Sequence, residues 1–283
     1  MIDLENFSTE LVAKNGIYFA KKESEISYPE SGNEDLFQIE GDSFWFNHRN
    51  NCIVEIVRKF LKKELFFDIG GGNGFVAKGL QDKGIETVLI EPGIEGCRNA
   101  QNRNLKNIVC ATLENAMFKN NTIQAVGLFD VVEHIEDDKE FLDSIYALLK
   151  QNGLVFISVP AFQYLWSNED VDAGHFKRYT TKNLREKLIN VGFKIEYSTY
   201  IFSVLPIAVY LFRTIPSKFG FNKKSNDLDK HISEHKKKTG IINFILNKIW
   251  EWELKVLKQG KKIGFGGSCF VVARKHNHII LKK

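Results

Sequence analysis

Residues 65–74 read LFFDIGGGNG, and this stretch decides the fold. Leu65, Phe66 and Phe67 form a short apolar run of the kind buried on both faces of a parallel sheet. Asp68 closes the strand, Gly70, Gly71, Gly72 and Gly74 follow within five positions, and a helical apolar pattern resumes from Phe75 to Leu80. A strand, a glycine turn and a helix together make a ligand cradle. The glycines permit positive φ and close backbone approach, and the helix start offers N–H groups without a partner in the helix. A second apolar strand, Thr87 to Ile90, ends in Glu91, an acid placed to accept hydrogen bonds from a ribose.

Two ligand classes use such a layout. Read from Gly72, the letters GNGFVA fit the dinucleotide pattern G-x-G-x-x-A, with Glu91 at about the right distance for the ribose acid. The same stretch fits acid-x-G-x-G-x-G, the usual pattern of S-adenosylmethionine sites, at Asp68, Gly70, Gly72 and Gly74. The strand-end carboxylate separates the two. It attracts the ammonium and sulfonium of S-adenosylmethionine and repels a pyrophosphate.

Farther along, Ala125 to Phe129 reads as a fourth strand and is followed by FDVVEHIEDD. Residues 165–179 read LWSNEDVDAGHFKRY, and Ser43 to Asn50 read SFWFNHRN. On these residues the chain resembles the class I S-adenosylmethionine-dependent methyltransferases, from about Phe44 to Tyr200 and again at the last strand. Within them it is similar to a bacterial subgroup like the ubiquinone-pathway (type 11/12) enzymes. The resemblance implies S-adenosyl-L-methionine as cofactor, held by Asp68, Gly70, Gly72, Gly74, Glu91 and Phe129. Many members place an Asp after the third strand to bond the adenine. Here Thr112 stands at that position, and Leu113 serves through its backbone.

The fold expected is α/β, a doubly wound Rossmann-like sheet of seven strands with the seventh antiparallel. Strands are expected near 65–69, 87–90, 108–110, 125–129 and 154–159, then Phe193 to Thr199 and Ser268 to Arg274. Helices are expected from Asn51 to Leu61, through Phe141, Leu142, Ile145, Leu148 and Leu149, and from Thr181 to Asn190. The domains expected are an N-terminal extension or cap (1–50), a methyltransferase core (51–200), a helical insertion (201–262) and the final strand with its tail (263–283). Nearly seventy residues between the sixth and seventh strands far exceed a hairpin loop, which marks the insertion. Phe44, Trp45 and Phe46 either cap the cofactor site or pack on the core. In the insertion, Ile241, Ile242, Ile245, Ile249, Trp252 and Val256 fall mainly on one stripe of a helix near 240–258.

Methyl transfer to a hydroxyl needs alignment and removal of a proton. His134, just past strand four, and His175, on the loop after strand five, are the base candidates, against a structural reading of each. Arg178 and Tyr179 are the acceptor-binding candidates, against a loop-ordering network; His48 and Arg49 are weaker candidates for the same pocket. His231, His235, His276 and His278 read as exposed polar positions. HISEH supplies only two of the three or four ligands a metal needs, so no metal site is expected.

The chain has 283 residues, 23 Phe and a net charge of +4, which fits one α/β domain with decoration and excludes disorder. Residues 213–262 hold 13 Lys and Arg against five Asp and Glu, an excess of eight positive charges. Such a block favours an anionic partner or a solvated face. Tyr200 to Phe212 is apolar but too short to span a bilayer, which takes about 20 residues. The insertion is accordingly expected to be a lid or a peripheral membrane contact. The first ten residues, MIDLENFSTE, lack the regions of a signal peptide, and four cysteines without C-x-x-C spacing read as reduced core thiols. A cytoplasmic location follows, possible at the inner face of a membrane. The function expected is O-methylation of a small-molecule, glycan or lipid-linked acceptor, with no nucleic-acid partner. The rivals are an NAD-dependent oxidoreductase and a non-catalytic binding protein that keeps the fold.

Overall fold

The computed structural model describes residues 2–22, 37, 39–218 and 241–276, with backbone alone for 241–243. Among the described residues nine strands form one sheet: β1 (Leu11–Lys14), β2 (Ile17–Ala20), β3 (Phe66–Ile69), β4 (Thr87–Glu91), β5 (Asn107–Cys110), β6 (Ile123–Phe129), β7 (Leu149–Pro160), β8 (Phe193–Ile201) and β9 (Ser268–Lys275). Their order is β1-β2-β5-β4-β3-β6-β7-β9-β8. The helices described are α1 (Phe44–Phe60), α2 (Phe75–Gln81), α3 (Ile94–Asn102), α4 (Leu113–Ala116), α5 (Asp138–Leu148), α6 (Asn168–Asp172), α7 (Thr181–Val191), α8 (Leu205–Val209), α9 (Ile215–Lys218) and α10 (Ile241–Lys258).

The seven strands from β5 to β8 are the expected doubly wound sheet. β5, β4, β3, β6 and β7 run parallel, and β9 pairs antiparallel with both β7 and β8. All residues of β3 and β4 are buried, as strands covered on both faces must be. On one face Leu142, Ile145, Leu184 and Leu188 pack from α5 and α7. On the other, Ile53, Ile56, Val57, Val76, Leu80 and Leu257 pack from α1, α2 and α10. Strand order reverses between β3 and β6, which places the ligand crevice at their carboxyl ends.

The N-terminal segment does more than extend the core. β1 and β2 form a hairpin, and β2 pairs parallel with β5, so the sheet gains two strands. The turn is Asn15-Gly16 with φ of 52° and 82°, a two-residue connection whose double positive φ matches strand twist. α1 begins at Phe44, seven residues before the expected Asn51, because Ser43 caps it: its Oγ accepts from Phe46 N at 3.3 Å.

The insertion helix α10 lies against α1. The stripe read from the sequence is not its buried face: Ile245 and Trp252 are exposed, and Trp250, Glu253 and Leu257 are buried. Glu253 sets that rotation. Its Oε2 bonds His48 Nε2 at 2.8 Å and accepts from Phe202 N at 3.0 Å, and its Oε1 accepts from Ser203 N at 2.5 Å. A buried carboxylate goes where donors are, and the helix turns to bring it there. Phe44 stacks on Trp250 at 4.9 Å and Trp45 on Phe202 at 5.4 Å, so these aromatics pack on the clamp around the insertion. The turn-rich residues 28–33, the linker residues 219–239 with Lys236, Lys237 and Lys238, and His231, His235 and His278 lie outside the described residues. His276 is exposed.

Candidate functional site

The loop after β3 is built on backbone that a side chain would fill. Gly70 and Gly74 have φ of 67° and 70°, and a Cβ on Gly74 would stand 2.4 Å from Leu105 Cδ1. A Cβ on Gly71 would stand 2.7 Å from Asp68 Oδ2, so the acid lies directly under the loop. Asp68 is fully buried, and neither carboxyl oxygen has a hydrogen-bond partner. Burial pushes its carboxyl up to about 7, against the pull of Arg49. Glu91 ties the loop to β4: Oε2 accepts from Gly72 N and Oε1 from Gly93 N, each at 2.9 Å. Glu40, in the segment before α1, holds Asn73 of the same loop at 3.4 Å and pairs with Arg103 at 2.6 Å.

Across the switch point stands Arg49 of α1. Its Nε pairs with Asp130 Oδ2 at 2.7 Å, and its Nη2 donates to the Phe129 carbonyl at 3.0 Å. Asp130 sits at φ 58°, an uncommon conformation for a residue with a side chain, and its Oδ1 accepts from Ser158 Oγ at 3.2 Å. Three residues on, Glu133 is 1% exposed, and neither carboxyl oxygen has a partner. Burial pushes its carboxyl well above the ordinary range, and the Asp130 charge adds to the rise.

The loop after β7 returns to these residues. Ala161 and Tyr179 form an isolated parallel bridge, and Phe176 N donates to the Glu133 carbonyl at 2.8 Å. The loop's centre is Asp170. It accepts from Ser167 N at 2.9 Å, from Arg178 Nε at 2.7 Å and Nη2 at 3.1 Å, and bonds His175 Nδ1 at 3.0 Å. Burial opposes its ionisation, but the bonds from His175 and Arg178 outweigh it and hold the carboxyl at about 2. This brings the His175 ring to 4.8 Å from that of His134, edge to face. Burial and the neighbouring His175 push His134 below its ordinary value.

Every site residue read from the sequence lies at or beside the carboxyl ends of the strands, with different surroundings. Thr112 caps α4, its Oγ1 accepting from Asn115 N at 3.2 Å, and Leu113 follows it. Phe129 is buried, stacked on Phe66 at 6.2 Å, and its carbonyl accepts from Arg49 Nη2 at 3.0 Å. Arg178 is committed to Asp170 and to the Ala161 carbonyl at 3.2 Å. Tyr179 is 2% exposed, and its hydroxyl bonds Asp138 Oδ2 at 2.8 Å. His48 is buried in the Glu253 clamp. Three residues were not singled out from the sequence: Asp130, Asp170 and Glu253. Each is an ordinary acid until the fold supplies its partner.

An apolar groove of about 410 Å³ opens beside the start of α1, lined by Phe44, Leu205, Ile207, Leu211, Phe212 and Trp250 among others. Phe212 is 78% exposed. No described helix is long and apolar enough to cross a membrane.

A family model described as a methyltransferase domain matches residues 50–198. No curated protein matches the chain. Among solved structures, Haemonchus contortus phosphoethanolamine N-methyltransferase 2, bound to phosphomonomethylethanolamine and S-adenosylhomocysteine, is 18% identical with a TM-score of 0.57, over 88% of this chain and 59% of that one. A chain of the Haloferax volcanii complex between the Trm112 methyltransferase activator and a methyltransferase is 13% identical with a TM-score of 0.54, over 88% and 95%. An S-adenosylmethionine-dependent methyltransferase from Thermotoga maritima is 14% identical with a TM-score of 0.53, over 87% and 95%. At these identities the likeness is one of fold.

Proposed function

The chain belongs to the methyltransferase-domain family, and on that premise we propose that it moves the methyl group of S-adenosylmethionine to an oxygen of an acceptor carried on an apolar, lipid-like chain. The donor half rests on one observation above others: a glycine loop seated over a buried acid whose two oxygens have no partner. That cradle suits a ligand bearing an ammonium and a sulfonium. It disfavours the pyrophosphate of a nicotinamide dinucleotide, which the buried carboxylate would repel.

When bound, S-adenosylmethionine supplies an electrophilic methyl group on a cationic sulfur. The remaining work falls to the chain. Backbone from Gly70 to Gly74 would lie against the ligand, with the Asp68 carboxyl beneath it and Glu91 toward the ribose. Thr112 and Leu113 would bound the adenine end, with Phe129 beneath. Arg178 acts through Asp170, holding the acceptor loop in place, and Tyr179 anchors that loop to Asp138. His134 and His175 front the acceptor side, where its hydroxyl must be held and relieved of a proton.

The apolar groove supports the acceptor half. An exposed patch of this kind marks a binding surface, and Phe212, Leu246 and Trp250 of its lining lie in or next to the sequence block 213–262 with its eight excess positive charges. An apolar chain for the groove and an anionic leaflet for the charge satisfy both features.

Calorimetry with S-adenosylhomocysteine and with NAD tests the donor. S-adenosylhomocysteine should bind, NAD should not, and Gly72→Val should lower S-adenosylhomocysteine affinity at least about 100-fold, near 2.7 kcal/mol, in protein whose melting shows it folded. Undiminished affinity would remove the assignment. Sedimentation with vesicles tests the acceptor surface. Binding to anionic and not neutral vesicles, weakened by Phe212→Ser and by salt, is expected. Failure to sediment with anionic vesicles at low salt would leave the insertion as a clamp alone.

A further inference from the structure

One cluster at the acceptor side is poorly explained by protein contacts alone. Glu133, His134 and His175 each bring a ligand-type atom within 4.8 Å of the others. Glu133 is buried with both oxygens unpartnered, next to two imidazoles. A buried carboxyl with no partner is held protonated unless something positive completes its charge. Arg49 and Arg178, the cations nearest by charge, are committed elsewhere: Arg49 to Asp130 and Phe129, Arg178 to Asp170 and Ala161.

We propose that Glu133, His134 and His175 form a site for a divalent first-row transition-metal cation. The donor set is two imidazoles and one carboxylate, which suits such ions and leaves coordination positions open. The outer contacts fit as well. Asp170 engages His175 Nδ1 at 3.0 Å, fixing the ring and freeing Nε2 for the ion, the carboxylate–histidine arrangement that raises ligand basicity. Asp170 is itself held by Ser167 and Arg178, so that ring cannot swing away at small cost. His134 follows Glu133 directly on a single 3-10 turn, which keeps the two donors together. Asp130 adds negative charge beside them without giving up its own partners.

A second grouping, His48, Cys52 and Glu253, is also buried and close. It differs in one respect. Both Glu253 oxygens are already occupied by His48, Phe202 and Ser203, so that cluster closes without an ion.

The site lies in the acceptor half of the methyltransferase reading and would hold an acceptor oxygen near the transferred methyl. Its test is direct binding, which stands apart from that reading. Chelator-treated full-length protein is titrated with Co²⁺, followed by its visible ligand-field absorption and by calorimetry. One equivalent per chain is expected. Glu133→Gln and His175→Ala should each weaken Co²⁺ at least about tenfold, while Cys52→Ser leaves it unchanged. S-adenosylhomocysteine affinity and melting temperature are measured on every variant, so loss of the fold or of the cofactor site is seen separately. No Co²⁺ binding by the parent protein would overturn the proposal. So would equal binding by the Glu133 and His175 variants in folded form, or loss of binding with Cys52→Ser.

Discussion

Glu91 and Glu133 are both buried acids at the carboxyl end of the sheet, and they are treated in opposite ways. Glu91 takes the N–H groups of Gly72 and Gly93, one on each oxygen. Glu133 takes no donor on either. Asp170, near Glu133 in space, resembles Glu91: it is surrounded by donors from Ser167, His175 and Arg178. The difference separates two jobs. Acids with protein partners shape the loops that make the crevice. The acids without them, Glu133 and Asp68, are positioned for partners that the described residues do not supply.

If that division is right, the largest effect comes from breaking an engaged acid. Asp170→Ala would strand a nearly buried guanidinium and free the His175 ring. A loss of about 3–5 kcal/mol of unfolding free energy is expected, read by chemical denaturation. A loss under about 1 kcal/mol would mean the loop after β7 is ordered by something else, and the comparison would lose one side.

Glu91→Ala comes next. It removes the acceptor for two loop N–H groups and the acid proposed to hold the ribose. Hydrogen bonds to a charged group are worth about 1.5–3 kcal/mol, so S-adenosylhomocysteine affinity should fall by a corresponding amount in calorimetry. An unchanged affinity would show that Glu91 serves the loop and not the ligand.

These two acids were unequally visible in the sequence. Glu91 could be found because strand length and loop spacing are local: β3, the glycine turn and β4 fix its place within about 25 residues of chain. The same locality made β3 to β9 legible, since their apolar runs and the helical stripes of α5 and α7 are properties of short windows. Glu253 could not be ranked above other acids, because its partner His48 lies 205 residues away. Asp170 differs: its partners His175 and Arg178 lie five and eight residues on, but only the folded loop turns all three side chains onto one point. α10 shows the cost of reading one window alone. Its apolar stripe through Ile245 and Trp252 is real as a pattern, yet Glu253 turned the other face inward. The hairpin of β1 and β2 is a different case, because Asn15-Gly16 between LVAK and IYFA was a local signal in plain view.

The Glu253 clamp offers a smaller effect with a definite sign. Burial alone would raise its carboxyl, but the bonds from His48 and Ser203 outweigh burial and hold it below the ordinary 4.5. A carboxyl depressed by folding contributes stability that is fully present above its unfolded value and drains away as pH falls through its folded one. Unfolding free energy should therefore fall below about pH 4.5 more steeply in the parent than in Glu253→Gln. At neutral pH the variant should lose about 1 kcal/mol, the difference between charged and neutral hydrogen bonds. Parallel pH curves would show that the clamp owes nothing to the charge.

The smallest expected change is the sharpest test of the contrast. Glu133→Met replaces an unpartnered buried carboxylate with an apolar side chain of similar length. Removing an engaged acid strands its donors, as at Asp170; removing Glu133 strands none, and it lifts a desolvation penalty. Unfolding free energy of the chelator-treated protein should then change by less than about 1 kcal/mol, or rise. The same substitution measured with Co²⁺ present should be destabilising relative to the parent, because only the parent gains from the bound ion. A loss above about 2 kcal/mol without metal would mean that Glu133 is engaged much as Glu91 is, and the two acids would no longer be opposites.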